Sequence, residues 1–478
     1  MLSIFESRKS TPSPNGNAQD ANQQTIIVKP SSKLNLSAPD PIPLNVMDMI
    51  MPPLYLRFVM MYKLSTDGEF DKIIERLTLS LADALELYPP VAGCLRPIEP
   101  GSSDLAIFCN NHGAEFMVQK EDKPYVEEEN NLESLSSIPL FLPPDEVASR
   151  GSFFVKVTKF SCGTVTIVPA LHHYVADLAS YMDFISAWTK LARGEPVNPD
   201  SLPKSWAHEP TSYFSTKPTT LPKSVPGIFV IPENAPPPPF PNVRPTLRWY
   251  FSDTSLEQLK KDCAPLIALS GSGTKLWVST ADAFTALVWA AQTRARYAID
   301  PKLVANSLQS LGVAADARER LKTLGLPWAY FGNFNLSLAV SVSKEDLLEP
   351  TLAATSRVAL AIRAGILEHL TYDAMAARVA FLEAQAEALK PRVGQRLMLE
   401  GDCRSTNWSR HDMTKMNFGA GLEPAYTNVG TKGSFPAGTM FIWKAEGGVI
   451  VATPLDSKEA DDILIADELM QKYGTLVQ

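Results

Sequence analysis

Ten of the chain's 39 prolines fall between Pro218 and Pro245, four of them in the unbroken run Pro236 to Pro239. Proline lacks a main-chain N–H and fixes φ at about −65°, so this stretch can enter neither a helix interior nor a central strand. It reads as an extended connector. It divides the 478 residues into two nearly equal halves, each long enough to bury a core of its own. The organisation expected is a disordered leader over 1–24, rich in Ser, Pro, Asn and Gln, then a domain over 25–210, a proline-rich crossover over 211–246 and a second domain over 247–478.

Charge and cysteine usage narrow the function. The formal net charge is −8 and no run of Lys or Arg occurs, so a nucleic-acid partner is not expected. Any anionic ligand has to be held by a local pocket. Cys94, Cys109, Cys162, Cys263 and Cys403 are odd in number and lack C-x-x-C spacing, which points to a reducing compartment and not to a disulfide framework or zinc site. Met1 to Lys9 has no apolar signal core. The most apolar stretch, Asn45 to Leu64, is broken by Pro52, Pro53 and Arg57, so no membrane span is expected and the location predicted is cytoplasmic.

Periodicity predicts mixed structure in both halves. Ile73, Ile74, Leu77, Leu81, Ala84 and Leu85 recur at helical spacing over Phe70 to Leu87, and Pro89-Pro90 ends that helix. Strands are predicted at Leu105 to Cys109, Phe153 to Phe160 and Thr164 to Leu171, and a helix over Leu178 to Arg193 with Gly194 as its stop. The second half gives a strand at Leu247 to Ser252, helices at Leu256 to Lys261 and Ser279 to Tyr297, and an Ala-rich helix over Thr351 to Lys390. Strands at Met440 to Trp443 and Gly448 to Ala452 and a helix over Lys458 to Lys472 close the chain. The fold class is therefore α/β, in two domains.

Only six histidines occur, which draws attention to His172-His173 at the end of a strand-like run, with Asp177 four residues after the second. Strand ends emerge at clefts, and imidazole titrates nearest neutral pH, so a general base fits here. Spacing alone leaves a structural alternative open, with a hydrogen-bonded His pair and Asp177 as the cap of the following helix. Metal binding is not supported: His112, His208, His369 and His411 lie in unrelated contexts. No G-x-S-x-G elbow is present, and Gly419-Ala-Gly421 is followed by Pro424 where a dinucleotide fingerprint needs glycine.

His173-x-x-x-Asp177 is one of five stretches that, in order, resemble the BAHD family of CoA-dependent acyltransferases. Leu79 to Leu95 is similar to the family's early helix and its "YPLAGRL" ending, and Ser279 to Trp289 to the helix opening the second domain. Ala315-Asp-Ala-Arg318, Leu326-Pro and Tyr330-Phe-Gly-Asn333 resemble "VDxR … LP … YFGN"; Thr406-Asn-Trp-Ser409 and Asn417-Phe-Gly-Ala-Gly421 resemble "TSW" and "DFGWG". Asn417, Ala420 and Leu178 depart from the usual Asp, Trp and Gly, and resemble more the fungal branch that includes trichothecene O-acetyltransferases.

The resemblance implies two similar-sized chloramphenicol-acetyltransferase-like domains with a tunnel at their interface, and acyl-CoA, by default acetyl-CoA, as co-substrate for a small-molecule alcohol. It implies that His173 is the base, that Asp177 is a structural partner paired with Arg318, and that Thr406 and Trp408 lie beside the oxyanion. Trp408 reads equally as a core aromatic. Ser279 and Thr280 are candidates for the CoA side, with helix capping as the other reading. No metal and no permanently bound cofactor is implied, and a monomer is expected. Amine acylation, a condensation-like enzyme using a carrier-protein thioester, and a non-catalytic binder are the alternatives.

Overall fold

In the first half, Ile73, Leu77, Leu81 and Leu85 lie along one face of the helix Phe70–Leu87 and are all buried. That face packs on the helix Leu178–Ala192, whose Trp188 donates its indole N–H to the Leu77 carbonyl at 3.2 Å. Asp177 starts the second helix by accepting from the Ser180 N–H, and Gly194, at φ +74°, follows its end. Both helices occupy the ranges their periodicity predicts. A computed structural model describes residues 5–8, 23–34, 40–64, 69–102, 104–126, 132–136, 140, 142, 144–209, 213–214, 220–232, 246–268, 277–323, 330–389, 397–399, 401–422, 424–428 and 436–477. The run Pro236 to Pro239 and the pair Leu326-Pro327 lie outside these.

Two large sheets organise the chain. The first runs in the order Phe5–Arg8, Gln23–Val28, Ala114–Glu121, Phe153–Phe160, Thr164–His172, Val59–Lys63 and Pro424–Asn428, with Tyr55–Arg57 also paired to Thr164–His172. The second runs Asn335–Ser343, Leu308–Asp316, Cys403–Asn407, Thr439–Ala445, Gly448–Thr453, Leu247–Ser252 and Thr475–Leu476. Most ladders are antiparallel; Ala114–Glu121 with Phe153–Phe160 is parallel, as are both neighbours of Cys403–Asn407. The result is the mixed sheet-and-helix, two-domain fold that was expected. Among the described residues no helix is long and apolar enough to cross a membrane.

Five expectations are corrected in detail. Phe5–Arg8, inside the stretch read as a disordered leader, forms a strand antiparallel to Gln23–Val28, whose edge offers unpaired main-chain groups. Ile228–Val230, inside the crossover, pairs with Leu397–Leu399. The Ala-rich segment is two helices, Leu352–His369 and Tyr372–Leu389, and the closing helix is likewise two, Lys458–Ile465 and Glu468–Tyr473. High propensity concealed these breaks, which side-chain caps create: Thr371 Oγ1 accepts from the Ala374 N–H and Asp467 Oδ1 from the Met470 N–H. Pro424–Asn428, in sequence part of the second half, completes the first sheet beside Val59–Lys63.

Among the described residues there are four apolar clusters, a small one around Val59, Leu135, Phe160 and Val168 and three larger ones. One of the larger clusters fills the first half and takes in Phe331, Trp408, Phe418 and Phe441 from the second. Another lies within the second half around Trp289 and Trp249. The third joins Val46, Met47, Ile50 and Met51 to Tyr330, Phe334, Met375 and Leu382 across the two halves. Arg378 lies on the buried face of the helix that supplies Met375 and Leu382, only 3 % exposed. Its Nη1 has no hydrogen-bond partner among the described residues, and burial pushes its pKa down to about 10. Arg378→Met is expected to raise the thermal unfolding midpoint, since exchanging buried charge for packed apolar groups often stabilises by about 1–4 kcal/mol. Differential scanning fluorimetry checks this; a fall in the midpoint would mean that the guanidinium is compensated.

Candidate active site

The strand Thr164–His172 is hydrogen-bonded on both sides, and its last residue pairs with Tyr55. The chain then turns. The His173 N–H donates to the Leu54 carbonyl at 2.8 Å and the Val175 N–H to the His172 carbonyl at 2.9 Å, after which Asp177 begins the next helix. Strand, turn and helix thus fix both ends of the His173-x-x-x-Asp177 stretch against the boundary between the halves.

The two histidines differ. The His172 ring stands edge-on to Tyr55 and Tyr174, and its Nδ1 accepts from the Tyr174 N–H at 3.2 Å. Burial, with His173 beside it, pushes its pKa down to about 3, so it stays neutral. The His173 ring is also buried, and its Nδ1 has no hydrogen bond among the described residues. Burial lowers its pKa below the usual 6.5, outweighing the main-chain carbonyl of His173, Asp177, Asn333 and the Ala176 main chain, which all favour a protonated ring. Near neutral pH this is an uncharged imidazole able to take a proton.

Asp177 faces away from that ring and into an ion pair. Its Oδ2 accepts from Arg318 Nη1 and from the Phe334 N–H, each at 2.8 Å, while Oδ1 accepts from the Ser180 N–H. Burial favours the neutral acid, but the Arg318 charge and these donors hold Asp177 below the usual carboxylate range. All five guanidinium N–H groups of Arg318 have acceptors: Asp177, Asp316, Ser180 Oγ, and the carbonyls of Tyr330 and Gly332. Gly332 sits at φ +145°, and a Cβ there would lie 2.9 Å from both His208 Nε2 and Tyr330 Oη, so no other residue type fits. Its carbonyl also accepts from the Asp177 N–H and from Ser180 Oγ. One residue further on, Asn333 Nδ2 donates to the His173 carbonyl at 2.8 Å and to Asp48 Oδ1 at 2.9 Å.

The remaining residues predicted from sequence fall into two groups. Thr406 is on the strand Cys403–Asn407 and Trp408 follows it, so both lie on the same side of the chain, alternate with exposed Asn407, and have their register fixed by the Trp408 N–H to Ile442 carbonyl bond of 2.7 Å. The Trp408 ring stacks edge-on with Phe441, 4.6 Å between centroids, in the apolar cluster that includes Leu171 and Val175. Ser279 and Thr280 stand apart from the His173 constellation. Ser279 forms a capping box with Asp282, and Thr280 Oγ1 donates to Glu257 at 3.0 Å, so both side chains are engaged at a helix start.

Sequence reasoning missed Asp48 and gave His208 no task. Asp48 is fully buried and His208 Nδ1 lies 2.9 Å from its Oδ2. The signal was available for the first: Asn45-x-x-Asp48 is a capping-box spacing, and Asp48 is a lone acid in an apolar run.

Residues 21–468 match the profile of the Transferase family. Acyltransferase uat1 of Mycosarcoma maydis is 23 % identical over 318 residues, 60 % of this chain and 60 % of that protein. Hydroxycinnamoyltransferase 1 of Oryza sativa subsp. japonica is 27 % identical over 306 residues, 60 % of this chain and 64 % of that protein, so the chain spans less than two thirds of either relative's length. BAHD acyltransferase BIA1 of Arabidopsis thaliana is 22 % identical over 462 residues, 94 % of this chain and 96 % of that protein. Among solved structures, F. graminearum TRI101 complexed with coenzyme A and deoxynivalenol aligns with a TM-score of 0.71 at 17 % identity, covering 92 % of this chain and 100 % of that one. Vinorine synthase aligns at 0.64 and 18 % identity, covering 98 % and 100 %. These structural likenesses are of fold.

Proposed function

Because the chain belongs to the Transferase family, the family of BAHD acyltransferases, we propose that it transfers an acyl group, by default acetyl, from a CoA thioester to the hydroxyl of a small-molecule acceptor. The observation that carries this reading is the neutral, buried His173 imidazole held between the two halves. His173 Nε2 takes the acceptor's hydroxyl proton as the oxygen attacks the thioester carbonyl. The tetrahedral intermediate then collapses, its C–S bond breaks, and the imidazolium returns the proton to the leaving thiolate. Both substrates are held at one site, in a tunnel between the halves, so no acyl-enzyme forms. Thr406 Oγ1 and the Trp408 indole N–H are the proposed oxyanion donors, while Asp177 and Arg318 hold the backbone that presents His173.

The acceptor class proposed is a secondary-metabolite alcohol, and the branch is the fungal one, for which the residues at Asn417, Ala420 and Leu178 are the support. Five free cysteines, four of them buried, support a reducing, cytoplasmic setting.

The His172-His173 pair keeps a carrier-protein thioester in view as a second donor. His172 packs between Tyr55 and Tyr174, while Leu178 in place of glycine and the Thr406 to Gly421 match favour free CoA. Purified protein incubated with acetyl-CoA and a panel of alcohols and amines is expected to release thiol and give O-acetylated products by mass. Turnover only with an acylated carrier protein would replace the free-CoA reading, and turnover only with amines would replace the hydroxyl acceptor.

A further inference from the structure

Arg378 is 3 % exposed, and its Nη1 has no hydrogen-bond partner among the described residues. Burial brings its pKa down only to about 10, so the guanidinium is charged at neutral pH. No ion pair of Arg378 occurs among the described residues either. Arg318 is buried to the same degree and shows the usual solution, with all five N–H groups matched and two of the bonds made to carboxylates. A buried group left without partners gives up its hydration and gets nothing back, so such groups are rare and mark a bound water, an ion, a ligand or strain. Arg378 is one of them, and the transfer chemistry makes no use of it.

Its place in the fold says what kind of ligand it would meet. Met375, Arg378 and Leu382 follow one another at helical spacing on the buried face of the helix Tyr372–Leu389, which packs against the helix Val46–Met49. Met375 and Leu382 belong to the apolar cluster that joins the two halves, together with Met47, Tyr330 and Phe334. In sequence these apolar residues adjoin the polar groups that hold the base: Met47 precedes Asp48, while Tyr330 and Phe334 bracket Gly332-Asn333. Asn333 Nδ2 donates to the His173 carbonyl at 2.8 Å, and the Phe334 N–H to Asp177 Oδ2. The body that contains Arg378 therefore backs the wall on which His173 is mounted. Trp408, proposed beside the thioester carbonyl, lies in a different cluster. Arg378 is accordingly assigned to the acceptor and not to the acyl group.

We propose that Arg378 is the counter-charge for a carboxylate carried by the acceptor, so that the substrate class is hydroxy acids; this rests on the reading of the chain as an acyltransferase with His173 as base. One guanidinium among apolar side chains matches one planar negative charge, which its fork of N–H groups can meet at both oxygens. A phosphate dianion would require further donors, and Arg318 has none to spare. Apolar surroundings strengthen the attraction once both charges are inside. The charge that makes Arg378→Met stabilising in the free protein is then the charge that selects the substrate.

Binding is read without turnover, from the unfolding midpoint of the full chain titrated at pH 7 with para-hydroxybenzoate and with ω-hydroxyhexanoate, each against its methyl ester. In the wild type at least one acid is expected to bind more than about tenfold tighter than its ester, the usual worth of a hydrogen bond to a charged group. Arg378→Met should abolish that preference and Arg378→Lys keep part of it. With acetyl-CoA as donor, Arg378→Met should raise KM for the acid more than about tenfold relative to KM for the ester. A wild type in which neither acid outbinds its ester overturns the proposal, as does an acid preference that survives in Arg378→Met. A preference for malonyl-CoA over acetyl-CoA that Arg378→Met removes, with none among the hydroxy acids, overturns the acceptor as the source of the carboxylate. If Arg378→Met fails to fold, the wild-type comparison and Arg378→Lys decide. If no thioester is turned over at all, the acyltransferase reading falls, and the binding of acid against ester still decides whether the carboxylate site exists.

Discussion

His173→Ala is expected to lower the rate of thiol release from acyl-CoA by about 10²–10⁴-fold, the usual contribution of a positioned general base. Its unfolding midpoint should stay close to that of the wild type, because the ring nitrogen Nδ1 makes no hydrogen bond among the described residues that the substitution would break. His172→Ala should do the reverse in kind: it removes the acceptor of the Tyr174 N–H and two edge-on ring contacts, so it lowers stability more than it alters the chemistry. Thiol release and thermal unfolding measured on both variants separate the two histidines. In the wild type the rate should fall on the acid side only below pH 6.5, since the folded environment lowers the pKa of His173 and the unprotonated ring persists under that value. A His173→Ala variant that keeps more than about a tenth of the wild-type rate would remove the base assignment.

Arg318→Ala is expected to cost about 3–5 kcal/mol, the usual result of leaving one member of a buried ion pair alone. It removes five hydrogen bonds together, two of them to carboxylates, and strands Asp177 at 1 % exposure. The pH dependence gives a sharper reading than the loss itself. In the wild type the pKa of Asp177 is lower folded than unfolded, so the pair's contribution is present above the unfolded value of about 3.9 and fades as pH falls through the folded one. Without Arg318, burial raises the pKa of Asp177 against only the Phe334 and Ser180 N–H donors, and where burial wins protonation favours the folded state. Urea midpoints of the variant should therefore rise as pH is lowered from 7, where the wild type gains nothing. Asp177→Asn in the Arg318→Ala background should recover part of the loss. A variant whose midpoint falls in parallel with that of the wild type would show that Asp177 is compensated by another group.

Much of the local structure was legible because burial repeats locally. The stripe from Ile73 to Leu85 and the stop at Pro89-Pro90 set the first helix, and the run Thr164 to Leu171 its central strand, each within a residue of the observed ends. The ion pair was named from the family resemblance and not from spacing, since Asp177 and Arg318 are 141 residues apart and nothing in either segment announces the other. The same holds for Asn333, which was placed as part of a motif but with no task. Asp48 went unnoticed, and His208 was named only to be set aside, for a related reason: residues 160 positions apart give no sign of each other in the sequence. Breaks inside strongly helical segments were hidden because single caps such as Thr371 and Asp467 outweigh average propensity only at one position.

The strand Pro424–Asn428 sets the order in which this molecule can be built. Its partner Val59–Lys63 leaves the ribosome about 360 residues earlier, at synthesis rates of about 5–20 residues per second. For that interval the edge of Val59–Lys63 that Pro424–Asn428 will cover has no such partner, open to any passing strand. The nascent first half is therefore expected to keep that edge uncovered until the far end of the chain arrives to close its sheet.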